Sequence, residues 1–180
     1  MGHAIEGATR MRALIEDLLA FSRAGRSERP REAVDLDAVV GAIAATIASG
    51  HRTRRPLIEW GGLPAVPGDP AQLTQLLQNL ISNAVKFVAP DTVPHVRVSA
   101  ERTGPLWLIL VDDNGVGIEP RHAERIFGMF QRLHTRDADP GTGIGLAIAR
   151  KVVEHHGGEI WAEPRPEGGT RFAFTLPAGG

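Results

Sequence analysis

Apolar positions in residues 4–24 recur at spacings of three and four. Ala8, Met11, Ile15 and Leu18 form a stripe continued by Ser22 and widened by Leu14, Leu19 and Phe21. Glu6, Arg10, Arg12, Glu16 and Asp17 fill the other side. This pattern predicts a long amphipathic helix whose apolar face is wide enough for more than one neighbour. No second long helix is adjacent in sequence, so the expected partner is another chain or sequence outside this one. Residues 23–33 are charged and contain Gly25 and Pro30, which marks a linker and a domain boundary near residue 30.

Beyond the linker the period changes repeatedly. Residues 34–36 read as a short strand, and Asp37 is a candidate cap for a helix reaching Gly50. Residues 56–60 read as a strand followed by a Gly/Pro-rich turn through Gly68. Asp69 with Pro70 behind it starts a helix running to about Phe87. Residues 95–101 alternate Val96, Val98 and Ala100 with Arg97, Ser99 and Glu101, as a half-wet strand does. A hairpin through 103–105 leads to the uniformly apolar and more buried strand 106–111. Glu119–Pro120 opens a short helix ending near Phe130. Residues 131–142 have no apolar period and read as a mobile loop. A helix from about Gly143 to His156 stops at Gly157–Gly158. Strands at about 159–163 and 170–176 complete the chain. The expected fold class is α+β: a two-layer sandwich of helices on a sheet with antiparallel hairpins, not a doubly wound parallel sheet.

Composition narrows the function. The 180 residues carry 20 Lys plus Arg against 21 Asp plus Glu, a formal charge of −1, which argues against a general nucleic-acid binder. There is no cysteine, so disulfides, thiolate metal sites and a catalytic thiol are excluded. No apolar run approaches the roughly 20 residues needed to span a bilayer, and no secretory signal is expected before the first helix. The 21 glycines are more than average usage and partly clustered.

Four clusters could carry chemistry. Leu73, Leu76, Leu77, Leu80, Ala84 and Val88 take one face of the helix at 69–87, and Asn79, Asn83 and Lys86 align nearly opposite. Amide oxygens are hard donors suited to Mg²⁺ and an ammonium suits phosphate, although a solvated polar face would look similar. The run Asp112–Asp113–Asn114–Gly115–Val116–Gly117–Ile118 ends the buried strand in carboxylates and two glycines. There the backbone can approach a planar ligand and an ionised Asp can accept from an exocyclic amine; a plain Asx–Gly turn is the alternative. Gly141–Thr142–Gly143–Ile144–Gly145–Leu146 leads into a helix, and unpaired N–H groups at such a start suit phosphate. It has neither the Walker A pattern nor the strand context of a dinucleotide fingerprint. Phe127 and Phe130 have the spacing of core anchors, and Arg132, His134 and Arg136 follow them with positive charge. Gly168–Gly169–Thr170 reads as the start of the final strand.

The order and spacing of these clusters carry a resemblance. Asn79-x-x-x-Asn83-x-x-Lys86, Asp113-x-Gly115-x-Gly117, Phe127-x-x-Phe130 and Gly141-x-Gly143-x-Gly145 resemble the N, G1, F and G2 boxes of sensor histidine kinases. The resemblance covers residues 34–177. It implies an ATP-binding catalytic domain with the Bergerat fold, a mixed sheet under three main helices, shared with gyrase, Hsp90-type and MutL-type ATPases. It implies Mg²⁺ on Asn83 with Asn79 nearby, and phosphates on Lys86 and Arg132. It implies the adenine amine on Asp113, admitted by Gly115 and Gly117. Phe130, Gly141, Thr142, Gly143, Gly145 and Leu146 would belong to a lid over 131–142 and its base, and Thr170 would join the network at adenine. The run Phe130–Gln131–Arg132–Leu133–His134 is similar to that of kinases carrying PAS or phytochrome sensors.

Residues 10–23 resemble the second helix of the dimerisation and phosphoacceptor hairpin. The resemblance therefore divides the chain into 1–30, a partial dimerisation helix and linker without the phosphoacceptor helix, and 31–180, the ATP-binding domain. The phosphoacceptor histidine with its acidic neighbour has no match, and His3 does not fit that box. The implied parent transfers the γ-phosphoryl group of ATP to a histidine and then to an aspartate of a response-regulator receiver domain. Its partners would be that receiver, its own phosphoacceptor hairpin and a second copy through helix 4–24, with no nucleic acid, in the cytoplasm. This chain alone is expected to bind Mg-ATP without labelling itself. The alternatives are a non-catalytic nucleotide-binding or dimerisation module, an anti-sigma-type serine kinase, and a gyrase- or Hsp90-like ATPase. Against the last, Gln75 and Gln78 stand where the catalytic Glu of those ATPases is expected.

Overall fold

The computed structural model describes residues 2–26, 31–50, 55–131 and 141–179. Helix α1 (Gly2–Arg23) precedes a two-stranded ribbon of β1 (Glu32–Asp35) and β3 (Ala65–Gly68), which pair antiparallel with Val34 opposite Val66. A five-stranded mixed sheet has the order β2 (Leu57–Glu59), β4 (His95–Thr103), β5 (Leu106–Asp113), β7 (Thr170–Pro177), β6 (Ile160–Pro164). Only the β2–β4 pair is parallel. Helices α2 (Leu36–Gly50), α3 (Pro70–Lys86) and α4 (Gly145–His155) form the second layer, with α3 between the other two. This is the α+β sandwich expected from the pattern, with three main helices on a mixed sheet.

The strand alternation sets the two faces. Val98, Val111, Phe172 and Ala162 lie in one cross-strand row, and Ala100, Ile109, Phe174 and Ile160 in the next. Most of these are buried and meet Leu73, Leu76, Leu77, Leu80 and Ile81 of α3, each at most 1% exposed. The period of two then puts Asp113 on the same inner face as Val111 and turns Asp112 outward. On the outer face Leu106, Leu108 and Leu110 are half-buried, less enclosed than the uniform apolar run suggested, and at the far end of the inner face Trp107 is only partly buried against the core. Trp107 is covered by the Arg102 guanidinium, 5.3 Å from its ring.

Four local expectations are corrected. Asp35, not Asp37, takes the Ala38 N–H at the start of α2 (3.2 Å), while Asp37 accepts from Leu63 N (3.2 Å). The Gly/Pro-rich segment before Gly68 contains β3, because β1 offers it a partner that no local pattern reveals. The short helix after Glu119 is two separate 3-10 turns, Pro120–His122 and Arg125–Phe127. Phe127 is a core residue, edge-on to Phe172 with centroids 6.4 Å apart, but Phe130 is 58% exposed at φ 59°. Gly128 is extended, so the helical phase that would align two rings three apart is broken between them. The expected loop falls largely on residues 132–140, outside the described residues, as do residues 27–30 of the linker.

Helix α1 does find a neighbour within the chain. Lys151 of α4 donates to the Phe21 carbonyl (2.9 Å), with its ammonium 4.3 Å from the Phe21 ring centre, and Ala24 is buried. Met11, Ile15, Leu18 and Leu19 remain 43–62% exposed.

The start of α3 is fixed from two sides. The Asp69 carboxylate accepts from Ala71 N (2.9 Å) and Gln72 N (3.2 Å), a cap worth about 1 kcal/mol. The Asp69 N–H donates to Nε2 of His156 (3.1 Å), which follows α4 and is 1% exposed. Since Nε2 must accept, the proton sits on Nδ1, which lies 2.8 Å from the Val152 carbonyl and donates to it. Burial pushes the His156 pKa below the ordinary imidazole value, partly opposed by the Val152 bond. The native state therefore holds His156 neutral, and its contribution is complete above about pH 6.5 and is lost as pH falls towards the lowered native value. Urea unfolding should show the wild type losing more stability between about pH 7 and pH 5 than His156→Gln. The variant should itself be about 1–3 kcal/mol less stable at neutral pH. Parallel pH curves would remove His156 from this role.

Candidate functional site

A cavity of about 310 Å³ opens between α3, α4 and the end of β5. Its apolar wall includes Ile118, Ile126, Leu146 and Phe172. Asp113 stands among these groups and is 5% exposed. Its Oδ1 accepts from Gly115 N (2.8 Å) and Thr170 N (3.0 Å), which leaves Oδ2 for a ligand donor. Burial raises the Asp113 pKa above the ordinary carboxylate value, and the Gly115 and Thr170 N–H groups and the Arg165 charge pull it back. A buried acceptor beside a flat apolar wall can select a planar ring bearing an amine.

Gly115 is required by close approach. A Cβ there would lie 2.3 Å from the Phe87 carbonyl, which accepts from Val116 N (2.9 Å). The glycine thus seats the turn after β5 against the end of α3. Gly117 lines the cavity directly.

The other end of the cavity is polar. Asn83 and Lys86 line it from α3, and Gly141, Thr142, Gly143 and Gly145 line it from the start of α4. Ile144, the residue before α4, has no side chain that can cap the helix, so the first turn from Gly145 onward turns its N–H groups to this end without a cap. Asn79 sits one turn earlier on α3. Its Nδ2 donates to the Gly145 carbonyl (2.9 Å), and its Oδ1 accepts from Gln75 (3.1 Å), so its amide ties α3 to α4. Phe130 gives its N–H to the Gly143 carbonyl (2.9 Å), but the residue is exposed and is not part of the cavity lining. Arg132, with His134 and Arg136, lies outside the described residues.

Several lining residues were not singled out from sequence. Phe87, Ile118, Ile126 and Phe172 carry only apolar character, which any core residue shares. Ala13 and Asp17 of α1 reach the cavity, and the Asp17 carboxylate accepts from the Thr142 hydroxyl, whose oxygen accepts from Ile144 N (3.3 Å). Gly169 was read as a strand start, yet it presses on the Asp113 peptide. Its φ is +88°, and a Cβ there would lie 2.0 Å from the Asp113 carbonyl oxygen.

Residues 68–180 match the family described as Histidine kinase-, DNA gyrase B-, and HSP90-like ATPase. The chain is 41% identical over 176 residues to the Phytochrome-like protein Cph1 of Synechocystis sp., a match covering 98% of this chain and 23% of that protein. It thus spans about a quarter of that relative's length. Among solved structures, full-length ShkA in complex with AMPPNP is 28% identical with a TM-score of 0.76, covering 92% of this chain and 35% of that one. Histidine kinase ThkA in complex with the response regulator protein TrrA shares the fold, with a TM-score of 0.74 at 22% identity, covering 96% of this chain and 48% of that one. With residues of three of its four boxes lining one cavity, the chain belongs to the histidine kinase-, DNA gyrase B- and HSP90-like ATPase family, as the ATP-binding domain of a sensor histidine kinase.

Proposed function

We propose that the cavity holds Mg-ATP and presents its γ-phosphoryl group to a histidine on a helical hairpin, for relay to an aspartate of a response-regulator receiver domain. The observation that carries this reading is a buried Asp113 acceptor at one end of an apolar slot, with Asn83, Lys86 and an uncapped helix start at the other. Asp113 takes the adenine amine, which guanine lacks at that edge. Ile118, Ile126, Leu146 and Phe172 hold the ring, and Thr170 orients Asp113 through its N–H. Lys86, the N–H groups of the first turn of α4 from Gly145 onward, and Arg132 hold phosphate oxygens.

The donors suit Mg²⁺. Among the described residues no group of three or more His, Asp or Glu could hold a metal, so a cation relying on protein carboxylate clusters does not fit. Mg²⁺ instead takes one or two protein oxygens plus phosphates, and the Asn83 amide oxygen is such a donor, with Asn79 steadying α4 beside it. When bound, the ion supplies charge neutralisation at the phosphates.

The acceptor histidine belongs to another segment, since none of the seven histidines here is followed by Asp or Glu. Gln75, beside Asn79, cannot take a proton, which favours phosphoryl transfer over attack by an activated water. The exposed Met11, Ile15, Leu18 and Leu19 suit pairing of α1 with the hairpin and with a second copy of the parent. No helix among the described residues is long and apolar enough to cross a membrane. A dependence on ATP suits a domain that works in the cytoplasm.

Incubated with γ-labelled ATP and Mg²⁺, the chain alone should stay unlabelled, whereas a phosphoacceptor hairpin added as a separate polypeptide should gain acid-labile label. Stable label on His3, or an unlabelled hairpin, would contradict the reading. Asp113→Asn loses a charged acceptor and should weaken ATP binding by roughly 1.5–3 kcal/mol, about ten- to a hundred-fold, by calorimetric titration. Asp17 places a negative charge beside the phosphate end. Asp17→Asn should therefore tighten metal-free ADP binding about three- to ten-fold at low salt, and an unchanged affinity would remove that contact from nucleotide binding.

A further inference from the structure

Arg165 follows β6 and opens the turn to β7. Its N–H donates to the Gly169 carbonyl (3.2 Å), and its carbonyl accepts from Gly168 N (3.0 Å). Its side chain crosses the hairpin, and NH1 donates to the main-chain carbonyl of Asp113 (2.7 Å). Nε is buried without a hydrogen-bond partner, 3.8 Å from Asp112 Oδ2, and NH2 lies 3.6 Å from the Glu167 carboxylate. The same hairpin delivers Thr170 N–H to Asp113 Oδ1 (3.0 Å) and lays Gly169 flat on the Asp113 peptide. Both the carbonyl and the carboxylate of Asp113 are therefore held by one turn, and Arg165 is the side chain that fastens it.

We propose that Arg165, which lies outside the cavity lining, is a positioning residue for nucleotide recognition, aiming the Asp113 carboxylate at the base by clamping the β6–β7 hairpin to the Asp113 carbonyl. This rests on the reading of Asp113 as the base acceptor. The charge of Arg165 has a second effect. The buried Asp113 carboxyl is biased towards its neutral form, and Arg165 opposes that bias. Asp112 acts the other way, but Arg171 holds it in a bidentate pair (2.7 and 2.8 Å). Glu167 faces Arg165 from the turn, and Lys86 and Asp17 face the cavity from α3 and α1. A neutral residue at 165 both frees the turn and leaves Asp113 protonated at a higher pH.

The test is calorimetric titration of the whole chain with Mg-ADP from about pH 5 to pH 8, with thermal melts alongside. The ligand's own ionisations are common to all variants and cancel in the comparison. Arg165→Gln is expected to weaken binding roughly ten-fold at neutral pH and to move the acid limb of the binding curve to higher pH. Arg165→Lys keeps the charge but not the guanidinium geometry. It is expected to weaken binding less and to leave the acid limb in place. If Arg165→Gln does not fold, Arg165→Lys is read alone, and undiminished affinity in it overturns the proposal. Weakened binding in Arg165→Gln with an unmoved acid limb also overturns it, because a general loosening of the fold that never reaches the Asp113 carboxylate gives that result. Asp113→Asn separates the two levels. If it binds Mg-ADP as the wild type does, the base-acceptor reading fails. If it loses binding while Arg165→Gln matches the wild type in affinity and pH profile, only the role of Arg165 fails.

Discussion

A carboxylate taken out of water must be given donors or it takes up a proton, and Asp113 is the group on which this constraint falls most heavily. The two N–H bonds to its Oδ1 come from residues 115 and 170, one in the turn after β5 and one at the start of β7. Both turns are shaped by meeting that demand. The first is pressed against the end of α3 through Gly115, and the second is pressed onto the Asp113 peptide through Gly169. The central strand and the last hairpin therefore meet at one atom, and the end of the middle helix packs on the turn beside it. A cavity wall assembled this way is rigid where a ligand's base would lie.

The polar end is built on a different principle. The middle helix is a rod, clamped at its start by Asp69 and His156 and joined to α4 by Asn79. One helix end thus locks to the neighbouring helix's far end, and the mid-point locks to its beginning. Asn83 and Lys86 follow within two turns on the same rod, so their positions relative to the first amides of α4 are set by helix geometry. Among the described residues beside this end, Phe130 is exposed at positive φ and gives its N–H to the Gly143 carbonyl.

Residues whose roles depend on local geometry were legible in the sequence. Asn83 and Lys86 share a helix face by spacing, Asp113 ends an apolar strand, and glycines precede a helix. These relations involve neighbours a few positions apart. The contacts that escaped are long-range. Arg165 and Asp113 are 52 positions apart, and Asp17 and Thr142 are 125 apart. Strand β3 escaped because its partner β1 lies on the other side of α2 in sequence, and its Pro and Gly read as a turn. Phe130 was misplaced because spacing alone does not reveal that the backbone leaves helical geometry at Gly128. The fold class survived these errors, since it follows from the sum of many periods rather than from any one.

The bond between Asp17 and Thr142 joins a helix outside the catalytic layer to the edge of the nucleotide cavity. Two sites that share one contact share one free energy, and linkage runs in both directions. With nucleotide bound as proposed, a displacement of α1 would alter how it is held, and occupancy of the cavity would bias where α1 rests.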